Sequence, residues 1–228
     1  MSSAQHPYWL VFVSMGLALT PLLVGLFTSF MKIHIVLSFF RAGLGAQQVP
    51  GGLVLLGISF ALTLSVMHPT IDDFHTRLKT FPVERLSTDP LTVAREEMTE
   101  LFSPWRDFLR RHSGTRELKI FSDMNDNPSH NEAQGTLVEK ESRDSWTVLL
   151  SAFVVTELKE AFLMGFVIMI PFLVIDLIVA NILAGIGMFM VSPVMISLPL
   201  KIALFTFADG WLLLTTGLVQ SYRLTGGV

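Results

Sequence analysis

The chain has 228 residues, of which 51% are hydrophobic and only 15% are charged, and its formal net charge at pH 7 is −3. Its mean hydropathy of +0.56 is too high for an ordinary soluble domain and is typical of a membrane protein. It contains no cysteine, which excludes disulfides, so the fold must be stabilised by packing.

The charged residues are concentrated in the middle of the chain. Residues 69–145 contain 11 of the 16 Lys and Arg and 15 of the 19 Asp and Glu, which leaves nine charged residues for the other 151 positions. This distribution predicts an all-α, membrane-type protein in three parts. Apolar helices form a hairpin at 1–68, a charged helical insert follows at 69–145, and a second helical hairpin occupies 146–228.

The N-terminal part contains two apolar runs. Residues 7–31 carry no charge and are long enough, at about 1.5 Å per helical residue, to cross a hydrocarbon core of about 30 Å. Residues 42–67 are also uncharged, but the run after a predicted turn at 50–52 is short for a membrane span. We expect the first run to be retained rather than cleaved as a signal peptide, because it lacks a basic start and a small-residue cleavage site.

The insert contains one amphipathic pattern. Asp89 suits the N-cap of a helix with Pro90 at its first position, Pro104 should kink or split that helix, and Gly114 follows its end. Residues 113–135 are rich in Ser, Asp, Asn, Pro and Gly and are predicted to form a mobile loop. The apolar residues that recur at steps of three and four, and so predict one helix face, are Leu91, Ala94, Met98, Leu101, Trp105 and Phe108.

The C-terminal part must turn back on itself. Residues 161–200 carry one charge, Asp176, and residues 202–222 carry one, Asp209. A single helix of forty residues would be about twice the thickness of a bilayer core, so a turn is needed within the first run. Gly, Pro and Met residues predict that turn at 185–193, with Gly185, Gly187 and Pro193 as its hinge positions.

Lys and Arg in short connections predict the orientation, because such connections tend to stay in the cytoplasm. Lys32 and Arg41 fall between the first two runs, and Lys201 follows the turn of the second hairpin. With four spans, both short connections then lie inside, and the insert and both termini lie outside, toward a periplasm.

The sequence contains no pattern that supports an enzyme, a metal or a cofactor. Residues 123–127 have the rhythm of a calcium loop, but Pro128 replaces the required Gly and Gln134 stands where a bidentate Glu belongs. Gly43 and Gly45 lack the third glycine of a dinucleotide loop. The six histidines show no zinc-type spacing, and no nucleophile has an adjacent base.

Lys201 is the charge that most needs a partner, because an ionisable group in an apolar span is costly and normally pairs. Asp176, Asp209 and Glu157 are its possible partners, and Asp209 would share a broad helix face with it. A lysine that extends to the membrane edge is the ordinary alternative. A second alternative makes Asp176, Asn181 and Asp209 the polar pathway of a small ion or solute transporter.

Four segments together resemble the SctR/FliP family of export-apparatus proteins in type III secretion systems and flagella, and more closely the injectisome SctR branch. They are "TSFMKIHIVLSFFRAGLGAQQVP", "AFVVTELKEAF", "IPFLVIDLIVANILAGIGMFMVSPVMISLPLK" and "ADGW". The resemblance implies a non-enzymatic subunit of the bacterial inner membrane. By the same resemblance, it is expected to form a pentamer that joins SctS/FliQ-like and SctT/FliR-like subunits and passes unfolded export substrates. No nucleic acid is expected among its partners.

The resemblance also implies roles for particular residues. Met188, Phe189 and Met190 match a methionine-rich turn whose copies close the channel as a gasket, although Phe189 stands where methionine is common. Methionine suits such a seal because its unbranched thioether adapts to irregular surfaces. Two buried core methionines in a turn are the simpler alternative. Lys201 and Glu157 match a charge pair between neighbouring subunits, with Asp176 as an additional carboxylate.

Overall fold

A computed structural model describes residues 7–45, 50–80, 99–125 and 145–225, and all of its described elements are α-helices. The N-terminal part contains α1 (Pro7–Phe27), α2 (Phe30–Leu44) and α3 (Gly52–Lys79). The insert contributes α4 (Ser103–Arg111) and α5 (Thr115–Asn125). The C-terminal part contains α6 (Trp146–Gly185), α7 (Pro193–Phe207) and α8 (Gly210–Thr225). The all-α prediction is therefore confirmed.

Helices α2 and α6 pack side by side and form the centre of the molecule. They run in the same direction, since Lys32 near the start of α2 meets Glu157 and Phe40 near its end meets Phe172. Phe40 is fully buried and also contacts Phe205 and Trp211, with ring centroids 4.5 Å and 5.3 Å away. Aromatic contacts of this kind stabilise the junction of α2, α6, α7 and α8 beyond their buried area.

The structure corrects the short loop predicted between the first two apolar runs. Lys32 and Arg41 lie within α2, a helix of 15 residues, rather than in a short loop. The buried face of α2 repeats at helical spacing through Ile33, Val36 and Phe40, so the segment folds as a helix against α6. Lys32 is fully buried and cannot count as a free loop charge in the orientation argument.

Four membrane spans were expected from the sequence. Within the described residues, α3 and α6 are long and apolar enough to cross a bilayer, and α7 with α8 would add a third if the bent pair is one span. The second span is longer than expected because its helix continues past Met67 to Lys79. The helix α1 has 21 residues without a formal charge, which at about 1.5 Å per residue is also the length of a span.

The last apolar run is broken rather than continuous. The axes of α7 and α8 differ by 64°, and Asp209 at the break has a left-handed backbone with φ of 49°. Because the helix ends at Phe207, Asp209 does not share a helix face with Lys201, and that expectation is wrong.

The insert is helical where the structure describes it. The predicted loop at 113–135 is wrong for its first part, since α5 covers Thr115–Asn125. Residues 126–135 of that loop and positions 89–98 of the predicted amphipathic helix lie outside the described residues. Helical residues 99–101 are followed by a turn at Phe102, and α4 begins at Ser103 with Pro104 in its first turn, where the missing N–H costs no hydrogen bond. The helix is thus split next to Pro104, as the sequence predicted.

Candidate functional site

The turn between α6 and α7 has a defined backbone geometry. The N–H of Gly187 donates to the carbonyl of Ala184 at 3.1 Å, and the N–H of Met188 donates to the carbonyl of Leu183 at 2.9 Å. These two bonds form a Schellman motif, which needs a left-handed residue directly after the helix. Gly187 fills that position with φ of 76°, a conformation that glycine adopts without steric cost. The helix therefore ends where it does because of Gly187.

The three residues that follow are unusually exposed for apolar side chains. Met188 is 45% exposed, Phe189 82% and Met190 100%. Exposed apolar surface costs about 25 cal/mol per Å² relative to burial, so a contiguous patch of this kind marks a contact with protein or lipid. The structure thus places all three predicted residues at the tip of a hairpin, and they are not core methionines. Gly185 is the last residue of α6 and Pro193 the first of α7.

Lys201 is buried and paired within its own chain. Its Nζ lies 2.6 Å from Oδ2 of Asp176 and donates to the carbonyl of Gly43 at 2.9 Å. The hydroxyl of Ser197, one helical turn before Lys201 on α7, donates to Oδ1 of the same Asp176 at 2.5 Å. This Lys201 cluster joins α2, α6 and α7 below the turn, and its lysine sits at the carboxyl end of α2, where a cation is favoured.

A second buried cluster lies further from the turn. Nζ of Lys32 is 3.1 Å from Oε1 of Glu157 and 2.6 Å from Oε2 of Glu160. Lys32 and Glu157 are essentially unexposed, whereas Glu160 retains 30% exposure. The lysine also lies over the ring of Tyr222, 4.0 Å from its centroid, and the Tyr222 hydroxyl donates to Glu157. The Lys32 cluster therefore connects α2, α6 and α8.

His112 connects the insert to this cluster. One ring nitrogen lies 2.8 Å from the carbonyl of Phe108 and the other 3.1 Å from the carbonyl of Tyr222. Burial lowers the pKa of His112 below its usual value of 6.5, with the charge of Lys32 acting in the same direction. The two carbonyl acceptors favour the protonated form but are outweighed by burial.

The predicted pairing of Lys201 with Glu157 does not occur within one chain. Each of these groups has another partner, Asp176 for Lys201 and Lys32 for Glu157, so a pair between neighbouring subunits stays a prediction. Lys32 was missed as a site residue because it was read as part of a loop. Its spacing from Val36 and Phe40, one and two helical turns away on the buried face of α2, is the sequence signal that could have identified it.

The polar pathway of a transporter does not assemble from its three predicted residues. Asp176 is used by Lys201 and Ser197, whereas Asn181 and Asp209 are exposed. Among the described residues, no group of three or more His, Asp or Glu side chains is placed to hold a metal ion. The last two residues of the calcium-like segment at 123–127 lie outside the described part of the chain.

Together these features define an all-helical membrane protein whose central helices are joined by buried ion pairs and whose hairpin tip is apolar and uncovered. Comparison with known proteins places it more narrowly. The chain matches the FliP family over residues 13–218, which is most of its length. It belongs to the FliP family.

Individual relatives have similar lengths. The chain is 39% identical to the Yop proteins translocation protein R of Yersinia pestis over 218 residues, which cover 93% of this chain and 95% of the relative. It is 36% identical to the virulence protein YscR of Salmonella typhimurium over 222 residues, covering 97% and 100%. It is 37% identical to the flagellar biosynthetic protein FliP of Bacillus subtilis over 206 residues, covering 90% and 87%.

Proposed function

We propose that this protein is a non-enzymatic subunit of the export gate of a type III secretion system in the bacterial inner membrane. The names of its relatives refer to Yop protein translocation, virulence and flagellar biosynthesis, which supports a role in a secretion apparatus. Of the two branches, we favour the injectisome, on the resemblance of the sequence. The insert and both termini would face the periplasm.

Several copies, five by analogy with the family, would surround a channel for unfolded proteins together with SctS/FliQ-like and SctT/FliR-like subunits. The observation that carries this proposal is the uncovered tip of the hairpin, where Met190 is fully exposed and Phe189 nearly so. Tips that converge from several copies would bury one another. The resulting plug excludes water and ions but yields to a passing polypeptide, because the methionine side chains are flexible.

Truncating the tip tests the plug. Met188→Ala together with Met190→Ala should raise ion leak across the membrane and slow growth on expression, while the assembled complex remains intact in detergent. Met15→Ala is the matched control, because Met15 on α1 is similarly exposed, at 54%, but lies far from the turn in sequence. Equal leak in the two variants would contradict the plug.

The same experiment can be extended to Phe189, the residue that departs from the methionine pattern. Phe189→Met should retain the seal, whereas Phe189→Ala should increase the leak. Phe207→Ala provides the comparison, since Phe207 is 89% exposed against 82% for Phe189.

Charge exchange tests how Lys201 acts in assembly. Lys201→Glu should abolish the complex, because it faces Asp176 in a buried setting. A restoring Asp176→Lys change would indicate that the pair works within one chain, whereas restoration by Glu157→Lys would indicate the predicted contact between subunits. Asp176→Asn alone should leave small-ion transport unaffected, since the proposed channel uses no carboxylate relay.

A further inference from the structure

An apolar groove opens at the junction of the insert with the membrane helices. It has a volume of about 630 Å³, and its walls come from α1 (Leu23, Phe27), the start of α4 (Phe102, Trp105) and the start of α6 (Trp146, Leu150). None of the described residues that line it is charged. At about 30 Å³ per water molecule, the groove would hold about 20 waters against apolar walls. Displacing them with an apolar side chain from another protein surface is favourable.

The same chain carries an apolar projection that is not covered. Ile120 and Met124 stand one helical turn apart on α5 and are 45% and 76% exposed. The opposite side of α5 is buried at Ser122, and the N–H of Gly114, directly before α5, donates to the Thr156 hydroxyl of α6 at 2.9 Å. Glu117 lies beside Met124 on the helix and pairs with Lys159 of α6 at 3.2 Å. Ile120 and Met124 are therefore held outward by a fixed helix.

The groove and the projection lie on different sides of α6 and cannot meet within one chain. At about 100° per residue, Thr156 and Lys159 lie about 120° and 180° around the helix from Leu150, which lines the groove. Both features are nevertheless attached to the same stretch of α6, residues 146–159. Two different surfaces on opposite sides are what a head-to-tail contact requires, and its repetition gives a ring when the rotation from copy to copy closes.

Charge supports the same pairing. The groove and the projecting pair are both uncharged, so neither would bury an unpaired ion. Exposed Arg116, Lys119 and Asp123 surround the projecting pair on α5 with a net charge of +1, and exposed Glu100 precedes Phe102 at the edge of the groove. The net positive charge beside the projection would thus approach an acidic residue beside the groove, which favours one orientation of the two copies.

We propose that Ile120 and Met124 of one copy dock into the groove between α1, α4 and α6 of the next copy. The contact would add a second ring of interactions at the level of the insert, separate from the hairpin tip. This inference rests on the multimer of the proposed function. The docking contact would fix how neighbouring copies are arranged around the ring.

Site-directed disulfides test this contact in the complete membrane complex, and the absence of native cysteine leaves no background. Differently tagged copies carrying Phe102→Cys and Met124→Cys are co-expressed and mildly oxidised. We expect a covalent dimer carrying both tags, at a yield at least tenfold above that of Phe102→Cys with Leu224→Cys. Leu224 is the matched control because its exposure, 77%, equals that of Met124 within 1%.

Three outcomes would overturn the docking. The first is an equal disulfide yield in the two pairs, and the second is no disulfide in a particle that contains several copies. The third is a dimer formed by Met124→Cys with itself, which indicates a two-fold contact. A particle with a single copy by mass would overturn the multimer as well. As an independent check, Met124→Asp should lower the multimer fraction at least tenfold while Leu224→Asp does not, and neither exposed change should unfold the single chain.

Discussion

The tip of the second hairpin and the interface between α2 and α6 follow opposite rules. At the tip, three large apolar side chains are exposed and contact little of their own chain. At the interface, Lys32, Glu157 and Lys201 are buried and paired. Soluble proteins usually do the reverse, with charged groups outside and apolar groups inside.

This contrast indicates how the chain is used. Its buried ion pairs join its own helices in a defined register, and its apolar surface is left for contact with lipid or other subunits. In such a chain, buried ion pairs determine how the helices pack on one another. The shape of the apolar surface determines how the chain contacts lipid or other subunits. Changes at the interface should therefore affect the stability of the subunit, whereas side-chain truncation at the tip should affect the seal of the complex and not its assembly.

The largest effect on stability is expected from Lys32→Met. This change leaves Glu157 buried without its cation, and removing one partner of a buried pair costs about 3–5 kcal/mol. The folded protein should largely disappear from membranes, and thermal unfolding in detergent should begin at a much lower temperature.

A neighbouring lysine supplies the control for that experiment. Lys159 pairs with Glu117 but is 67% exposed, so Lys159→Met should cost about 0–1 kcal/mol. Similar losses in the two variants would show that burial does not distinguish the interface from the surface.

The Lys201 cluster should respond less strongly. Asp176→Asn removes the negative charge beside a buried lysine, but the Asp176 side chain is 34% exposed, so solvent screens part of the effect. We expect a loss of about 1–3 kcal/mol in the free energy of unfolding, measured by thermal or denaturant melting. Asp209→Asn, at an exposed position, should be neutral. A neutral Asp176→Asn would mean that the Gly43 carbonyl alone suffices for Lys201.

Gly187→Ala should have a moderate effect at the tip. The left-handed backbone of Gly187 penalises any side chain by about 1–2 kcal/mol, although a Cβ there would meet no other atom. Gly185→Ala is the control, because Gly185 is helical and equally unobstructed, and alanine there should be neutral or slightly stabilising. Melting temperature checks the first expectation. If both changes behave alike, the Schellman motif does not determine the turn.

The smallest effect is a pH dependence at the insert. Because the pKa of His112 is lowered in the folded protein, the unfolded chain binds more protons once the pH falls below the usual value of 6.5. Stability should thus decrease on acidification below about pH 6.5, by no more than about 1.4 kcal/mol per pH unit. His112→Gln should remove that slope. An unchanged slope would assign it to a different titratable group.

Several of these elements could be predicted from the sequence because their causes are local. Glycine and proline near 185–193 predicted the turn, and the apolar runs predicted helices. The helical α2 was misread because one buried lysine looked like a loop charge. The partner of Lys32 lies 125 residues away, and no local pattern encodes a contact at that separation.

The partner of Lys201 illustrates the same limit. Three carboxylates were possible from the sequence, and the choice depended on how α6 and α7 pack and on the break at Asp209. Tyr222 could not have been chosen at all, since its contact with Lys32 exists only when α8 folds back across the molecule. Pairing inside a helical protein is decided by tertiary packing, which residue type alone does not specify.

The length of α6 has a mechanical consequence. Its 40 residues extend about 60 Å, roughly twice a hydrocarbon core, in one unbroken helix from the insert to the tip. Pro171 is the position where that rod lacks a backbone hydrogen bond and can bend. A displacement of the insert would therefore tilt the far end of α6, and bending at Pro171 would reduce how far the tip moves.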